Sequence, residues 1–195
     1  MIRKLLAVLP LLVLLACQQG KDRPKETAAV IQDPHSFSKP GEARVKHLDL
    51  DLRVDFGKKQ ISGRASWEIR SSGKAGEIIF DTRDLAVSKV TADDQETTFR
   101  FGREEKYLGR ALAVKIKPGT RNVTIWYTTS PDAAALHWLE PQQTAGKKHP
   151  FLFTQSQAIL ARTWIPCQDS PSIRFTYAAT VTVPVNLMAV MSAVN

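Results

Sequence analysis

Between Val45 and Ile69 apolar and polar side chains alternate almost without a fault, and that period of two constrains the fold more than any other feature of the chain. Leu48, Leu50, Leu52, Val54 and Phe56 fall between His47, Asp49, Asp51, Arg53 and Asp55. After Gly57-Lys58-Lys59, the residues Ile61, Gly63, Ala65, Trp67 and Ile69 fall between Ser62, Arg64, Ser66, Glu68 and Arg70. Successive side chains of a strand point to opposite faces, so each segment puts one row on a core and the other in water. The glycine and two lysines supply a turn, and the segments are expected to pair as a long antiparallel hairpin.

Shorter strands are expected at Glu77–Asp81, Ala86–Ala92, Thr97–Phe101, Leu112–Lys117, Asn122–Thr129 and Phe175–Val183, separated by Gly, Pro, Asp and Asn clusters. No window carries the 3.6-residue period of an amphipathic helix. The reading is an all-β fold, a saddle-like or sandwich arrangement of mostly antiparallel strands, large enough for its own core. One stretch departs from the regular spacing. From Ser130 to Pro171 the apolar residues have no period and prolines stand at 131, 141, 150, 166 and 171. A loop-rich interruption in a regular β domain is where function is expected.

Ahead of the domain, Arg3 and Lys4 precede an apolar run from Leu5 to Ala16 that is too short to span a bilayer, followed by Cys17. This is the organisation of a secretory signal peptide. Leu14-Leu15-Ala16-Cys17 resembles the bacterial lipobox, in which the cysteine becomes the lipid-bearing first residue; an ordinary signal peptide with an incidental cysteine is the alternative. The expected organisation is therefore a leader over 1–17 ending at lipidated Cys17, a polar flexible linker over 18–42, and a β domain over 43–195. The expected location is the bacterial cell envelope, anchored on the periplasmic side through Cys17, or exported. The formal charge of +8 draws the chain toward acidic surfaces at low salt. No basic run interleaved with aromatics accompanies it, so nucleic acid is not an expected partner.

Catalytic patterns are missing. His-Glu-x-x-His, which puts two zinc ligands and a base on one helical face, is absent, and the four histidines are scattered at 35, 47, 137 and 149. No metal ligand and no catalytic residue are assigned. His137 and His149 flank the irregular stretch and read as polar loop residues. Asp93-Asp94 and Glu104-Glu105 sit among turn residues as solvated charge. Neither a Gly-x-Ser-x-Gly elbow nor a phosphate-cradling glycine loop is present. Cys167, the second of two cysteines, has no base near it and reads as a buried structural thiol.

The irregular stretch contains Leu136-His137-Trp138-Leu139-Glu140-Pro141-Gln142-Gln143-Thr144, then Gly146 to Phe153, then Thr154-Gln155-Ser156-Gln157-Ala158, and Arg162-Thr163-Trp164-Ile165-Pro166-Cys167-Gln168-Asp169-Ser170-Pro171. This order of residues closely resembles the leukotriene-hydrolase branch of peptidase family M1, and the resemblance runs from about Arg44 to Ala193. It implies a saddle-shaped N-terminal domain that packs on a thermolysin-like catalytic domain absent from these 195 residues. The family's Gly-x-Met-Glu-Asn motif and zinc helix are absent as well. It implies zinc as the cofactor of the complete enzyme, and the free N-terminus of a peptide as its ligand. It also implies that Gln155, Ser156, Gln157 and Ala158 line part of the substrate pocket. Most family members carry a Glu where Gln157 stands; a neutral amide donates and accepts hydrogen bonds but cannot neutralise an ammonium. Arg162 and Asp169 are expected to form an ion pair holding the loop, or Asp169 to cap a turn before Pro171. The expectation is one wall of an aminopeptidase cleft, inactive alone. The rival is a non-catalytic envelope lipoprotein that binds a partner through the same domain.

Overall fold

The protein is described by a computed structural model over residues 33–194. The expected leader, Cys17 and the first part of the expected linker lie outside the described residues. The alternating segments form β1 (Ala43–Asp55) and β2 (Gln60–Ser71), paired antiparallel from Ala43↔Ser71 to Asp55↔Gln60. Then follow β3 (Glu77–Thr82), β4 (Ala86–Ala92), β5 (Gln95–Glu96), β6 (Phe99–Phe101), β7 (Arg110–Lys115), β8 (Asn122–Thr128), β9 (Leu136–Leu139), β10 (Phe151–Thr154) and β11 (Thr176–Thr182). Among the described residues the only helical pieces are two 3₁₀ turns, Pro141–Gln143 and Ala161–Thr163.

A six-stranded sheet runs in the order β11-β1-β2-β8-β4-β5, a three-stranded sheet in the order β3-β7-β6, and β9 with β10 makes a separate ribbon. The period of two is realised as read. Leu48, Leu50 and Leu52 of β1 lie opposite Trp67, Ala65 and Gly63 of β2, and except for the glycine this row is buried. Val123 and Ile125 of β8 extend it, and Ile78, Phe80, Leu112 and Val114 of the smaller sheet join the same core, with the Trp67 and Phe80 rings 6.1 Å apart. Each fully buried large apolar side chain contributes about 1.5–3 kcal/mol, so this two-layer contact is the main stabilising term. The opposite face of the large sheet is wet, and there Arg64 meets Asp51 at 3.3 Å and Lys46 meets Glu68 at 3.0 Å. Such exposed pairs set register more than stability.

Gly63 is the one position in the hairpin that tolerates no side chain. Its φ is +153° and a Cβ would overlap the Asp51 carbonyl oxygen, so the close approach of the two backbones needs glycine.

Three features go beyond the local pattern. The pairing of β1 with β11 is parallel, from His47↔Thr176 to Arg53↔Thr182, joining the first of the described strands to the last. The region without a period contains a ribbon, Leu136–Leu139 against Phe151–Thr154, whose faces are mostly half-buried or exposed and therefore leave no clean alternation. Finally, residues 33–42, the tail of the stretch expected to be a flexible linker, lie against the domain. Ser36 and Ser38 are buried, the Ser36 hydroxyl donates to Asp81 Oδ2 at 2.6 Å, and the Phe37 amide donates to Asp81 Oδ1 at 2.7 Å. Serines and prolines without apolar periodicity look like tether, yet here they satisfy a buried carboxylate.

Candidate functional site

The stretch from Gln155 to Pro171 wraps over the end of the core, and its course is set by side chains that satisfy buried polar groups. The Gln155 amide donates to the Ala135 carbonyl at 2.9 Å and the Leu160 amide to the Ser156 carbonyl at 2.9 Å, so the segment between them is tied at both ends. Within it the Gln157 amide donates to Gln155 Oε1 at 3.1 Å, and the Trp164 indole donates to the Ser156 hydroxyl at 3.1 Å. The Gln157–Ala158 peptide is cis. Gln155, Gln157 and Ala158 are exposed and Ser156 is half-buried. The side-chain amide of Gln157 makes no hydrogen bond among the described residues.

Behind this segment lies Arg162, wholly buried on the Ala161–Thr163 turn. Its guanidinium donates to Asp169 Oδ2 at 3.1 Å, to the Leu108 carbonyl at 3.0 Å, to the His35 carbonyl at 2.7 Å and to the Asp169 carbonyl at 3.2 Å, with Asp81 Oδ2 3.8 Å away. The expected ion pair with Asp169 is therefore present, but it is half of a larger cluster. Asp81 and the two serines of the N-terminal tail belong to it. A planar fork with five donors reaches three separate pieces of chain from one position, which a lysine could not do. Burial raises the Asp169 pKa against the opposing pull of Arg162.

Gln168 has a second buried role that its polarity disguises. Its carboxamide accepts from the Val45 amide at 3.1 Å and donates to the carbonyls of Ala43 at 2.9 Å and Ile79 at 3.3 Å, bolting the loop across both sheets. Trp67 Nε1 donates to the Pro166 carbonyl at 2.9 Å. Cys167 is buried and burial pushes its thiol up, so it is the inert structural thiol that its neighbourhood suggested.

The exposed segment borders an apolar groove of about 640 Å³. Leu48 and Leu52 of β1, Tyr177 of β11, Phe151 of β10, Trp164 and Ser156 line it, and residues 187–192 lie along one side. Phe151 is 53% exposed and Phe153 43%, more than a closed core would leave. A second, shallower cleft of about 630 Å³ is lined by Lys59, Asp132, His137, Trp138 and Gln143. There His137 stacks on Phe153 at 4.6 Å, while His149 bonds Asn186 at 2.8 Å, so each histidine has its own partner. Among the described residues no three His, Cys, Asp or Glu side chains converge as a metal site. The donor set of the described residues does not fit a zinc ion.

Of the residues expected to form a pocket wall, Gln155, Ser156, Gln157 and Ala158 are contiguous, and Ser156 faces the groove. The contribution of β1, β11 and β10 to that groove was not read from sequence, because their side chains there look like ordinary core residues. Cys17 lies outside the described residues.

Residues 44–195 match the family model for the peptidase M1 N-terminal domain. The chain is 42% identical over 169 residues to leukotriene A-4 hydrolase of Xenopus laevis, covering 84% of this chain and 28% of that protein. Among solved structures it is similar to yeast LTA4 hydrolase in complex with bestatin, with a TM-score of 0.72 and 31% identity, over 82% of this chain and 25% of that one. The fold is also that of an M1 zinc metallopeptidase from Deinococcus radiodurans bound to a Tyr-Ser-Ala substrate, with a TM-score of 0.55 and 22% identity over 73% of this chain and 33% of that one. The chain thus spans about a quarter to a third of the length of the proteins it matches.

Proposed function

Because this chain belongs to the peptidase M1 family and forms that family's N-terminal domain, we propose that it supplies one wall of the peptide-binding cleft of a zinc aminopeptidase of the leukotriene-hydrolase branch. The observation that carries this reading is Gln157, an exposed side-chain amide with no partner among the described residues, on a segment tied down at both ends beside an apolar groove. An amide so placed can donate to a peptide carbonyl and accept from a peptide N–H or amine at small reorganisation cost. Neutralising the ammonium of a substrate, holding zinc and cleaving the peptide bond fall to residues other than these 195. The chain by itself is therefore inactive. Lipidation at Cys17 would hold it in the bacterial cell envelope on the periplasmic side, a durable attachment because each buried methylene adds about 0.8 kcal/mol.

Two measurements on the chain lacking residues 1–17 test the reading. Incubated with aminoacyl-anilides and zinc it should release nothing above background; chelator-sensitive release would overturn the assignment of catalysis elsewhere. Titrated with short unblocked peptides, its heteronuclear spectrum should shift at Gln155–Ala158. Gln157→Ala should weaken that binding roughly five- to tenfold, the loss of about one hydrogen bond. Shifts confined to another surface would support the rival, a binding module that uses the fold for a different partner.

A further inference from the structure

Consecutive side chains of the Ala161–Thr163 turn leave it in different directions, because a 3₁₀ turn has about three residues per revolution. Arg162 enters the buried ionic cluster, and its backbone amide also donates to Asp169 Oδ2 at 3.3 Å. Thr163 serves the segment Gln155–Ala158 instead. Its hydroxyl donates to the Leu160 carbonyl at 2.7 Å and accepts from the Ala135 amide at 3.1 Å. Both Ala135 and Thr163 are buried. Trp164, which ends the turn, reaches the Ser156 hydroxyl through its indole.

The places of the two hydroxyl partners give this contact its meaning. Ala135 is the residue whose carbonyl receives the Gln155 amide at the start of the segment. That bond follows the Leu136↔Thr154 pair, so the hydroxyl caps the end of the β9–β10 ribbon. Leu160 is the residue whose amide the Ser156 carbonyl receives at the far end. One buried hydroxyl therefore joins the residue that ties the entry of the segment to the residue that ties its exit.

We propose that Thr163 is a positioning residue for peptide binding: it fixes the two anchor points of Gln155–Ala158 relative to each other, so that Gln157 meets a peptide from an already ordered segment. The proposal deepens the cleft reading and rests on it for the ligand; the tie itself stands on the hydrogen bonds. A segment held in its binding form is spared the ordering cost that a loose one incurs on association. Two substitutions separate the hydroxyl from the shape of the side chain. Valine keeps the branched shape, makes neither bond, and deprives the buried Ala135 amide of its acceptor. The Leu160 carbonyl still receives the backbone amide of residue 163 at 3.0 Å, so the turn itself is retained. Serine keeps both bonds and loses one methyl group.

Amide hydrogen exchange, followed by heteronuclear NMR on the chain lacking residues 1–17, tests the tie without ligand. In the unmutated chain the Ala135, Gln155 and Leu160 amides should open as one unit, with protection alike within about threefold. Thr163→Val should speed exchange at Gln155 and Leu160 roughly five- to tenfold, the loss of about one hydrogen bond, and leave the amides of the β1–β2 hairpin unchanged. Thr163→Ser should exchange as the unmutated chain does. Titrated with unblocked trialanine, Thr163→Val should bind about threefold more weakly or worse, and Thr163→Ser within about twofold of the unmutated chain. Gln155 exchanging far faster than Ala135 in the unmutated chain overturns the proposal, and this measurement decides it even where Thr163→Val does not fold. A valine variant that exchanges as the unmutated chain does, a serine variant that behaves like valine, or exchange that quickens equally across the hairpin overturns it as well. So does trialanine binding that survives Thr163→Val unchanged. An unmutated chain that binds no trialanine counts against the cleft reading, while the exchange comparison still decides whether Thr163 holds the segment.

Discussion

Arg162→Met removes the cation at the centre of the buried cluster while keeping much of the side-chain volume. Two carboxylates then lose their partner, Asp81 with a wholly buried side chain and Asp169 with one 12% exposed. The carbonyls of Leu108 and His35 lose a donor as well. Breaking one side of a buried ionic pair costs about 3–5 kcal/mol, much of it for the charge left behind. The total stability of a domain is of the order of 5–15 kcal/mol, so the variant should be marginal. With a urea slope of about 2 kcal/mol per molar, a loss of 4 kcal/mol lowers the unfolding midpoint by about 2 M. Two further results distinguish a stranded charge from poor packing. Burial already raises the Asp169 carboxyl and only Arg162 pulls it down, so without the guanidinium the deficit should shrink as the pH falls and the folded state takes up a proton there. Asp81→Asn/Asp169→Asn should recover a large part of the midpoint in the Arg162→Met background, since removing all partners costs less than removing one. Urea denaturation followed by circular dichroism at several pH values reads all three. An Arg162→Met midpoint within 0.5 M of wild type, or a deficit unchanged by pH and by the asparagines, would refute the reasoning; both midpoint figures scale with the slope taken above, roughly.

Tyr127 Oη is buried with no hydrogen-bond partner among the described residues, and burial pushes the phenol pKa up. Tyr127→Phe should therefore be neutral or stabilising by up to about 1–3 kcal/mol in the same denaturation assay; a clear loss would show a partner for the hydroxyl. Cys167 should react with Ellman's reagent at the rate of unfolding and not faster, because its thiol is buried and held protonated. Rapid labelling under native conditions would contradict its place in the core.

The parts of the fold legible in sequence are those decided by near neighbours. Alternation from Leu48 to Ile69 shows a hairpin because the period of two belongs to the strands themselves. The parallel partner of β1 is not written in β1; any strand with an apolar row could occupy that edge, and choosing β11 requires the register of the whole sheet. The β9–β10 ribbon escaped because Phe151 and Phe153 stay exposed, so a run of His-Trp-Leu and Phe-Leu-Phe has no inside and outside to display. Arg162 with Asp169 was readable as an ion pair on the loop, seven residues apart. The third and fourth members, Asp81 and Ser36, come from distant segments, and a serine in a proline-containing tail carries no mark of burial. The expectation for Gln155–Ala158 rests on family likeness alone; nothing in four small or polar residues singles them out otherwise.

The parallel seam between β1 and β11 also bears on how the chain reaches this structure. His47 meets Thr176 across the seam, Val45 meets Gln168 through a side chain, and Arg162 meets the His35 carbonyl. The outer edge of β1 thus has no partner until β11 has been made. Contacts of such long sequence separation slow folding, since loop entropy is lost before the contacts reward it. The large sheet should close only after synthesis of β11, and a nascent chain arrested before Thr176 should stay sensitive to protease along β1 and β2.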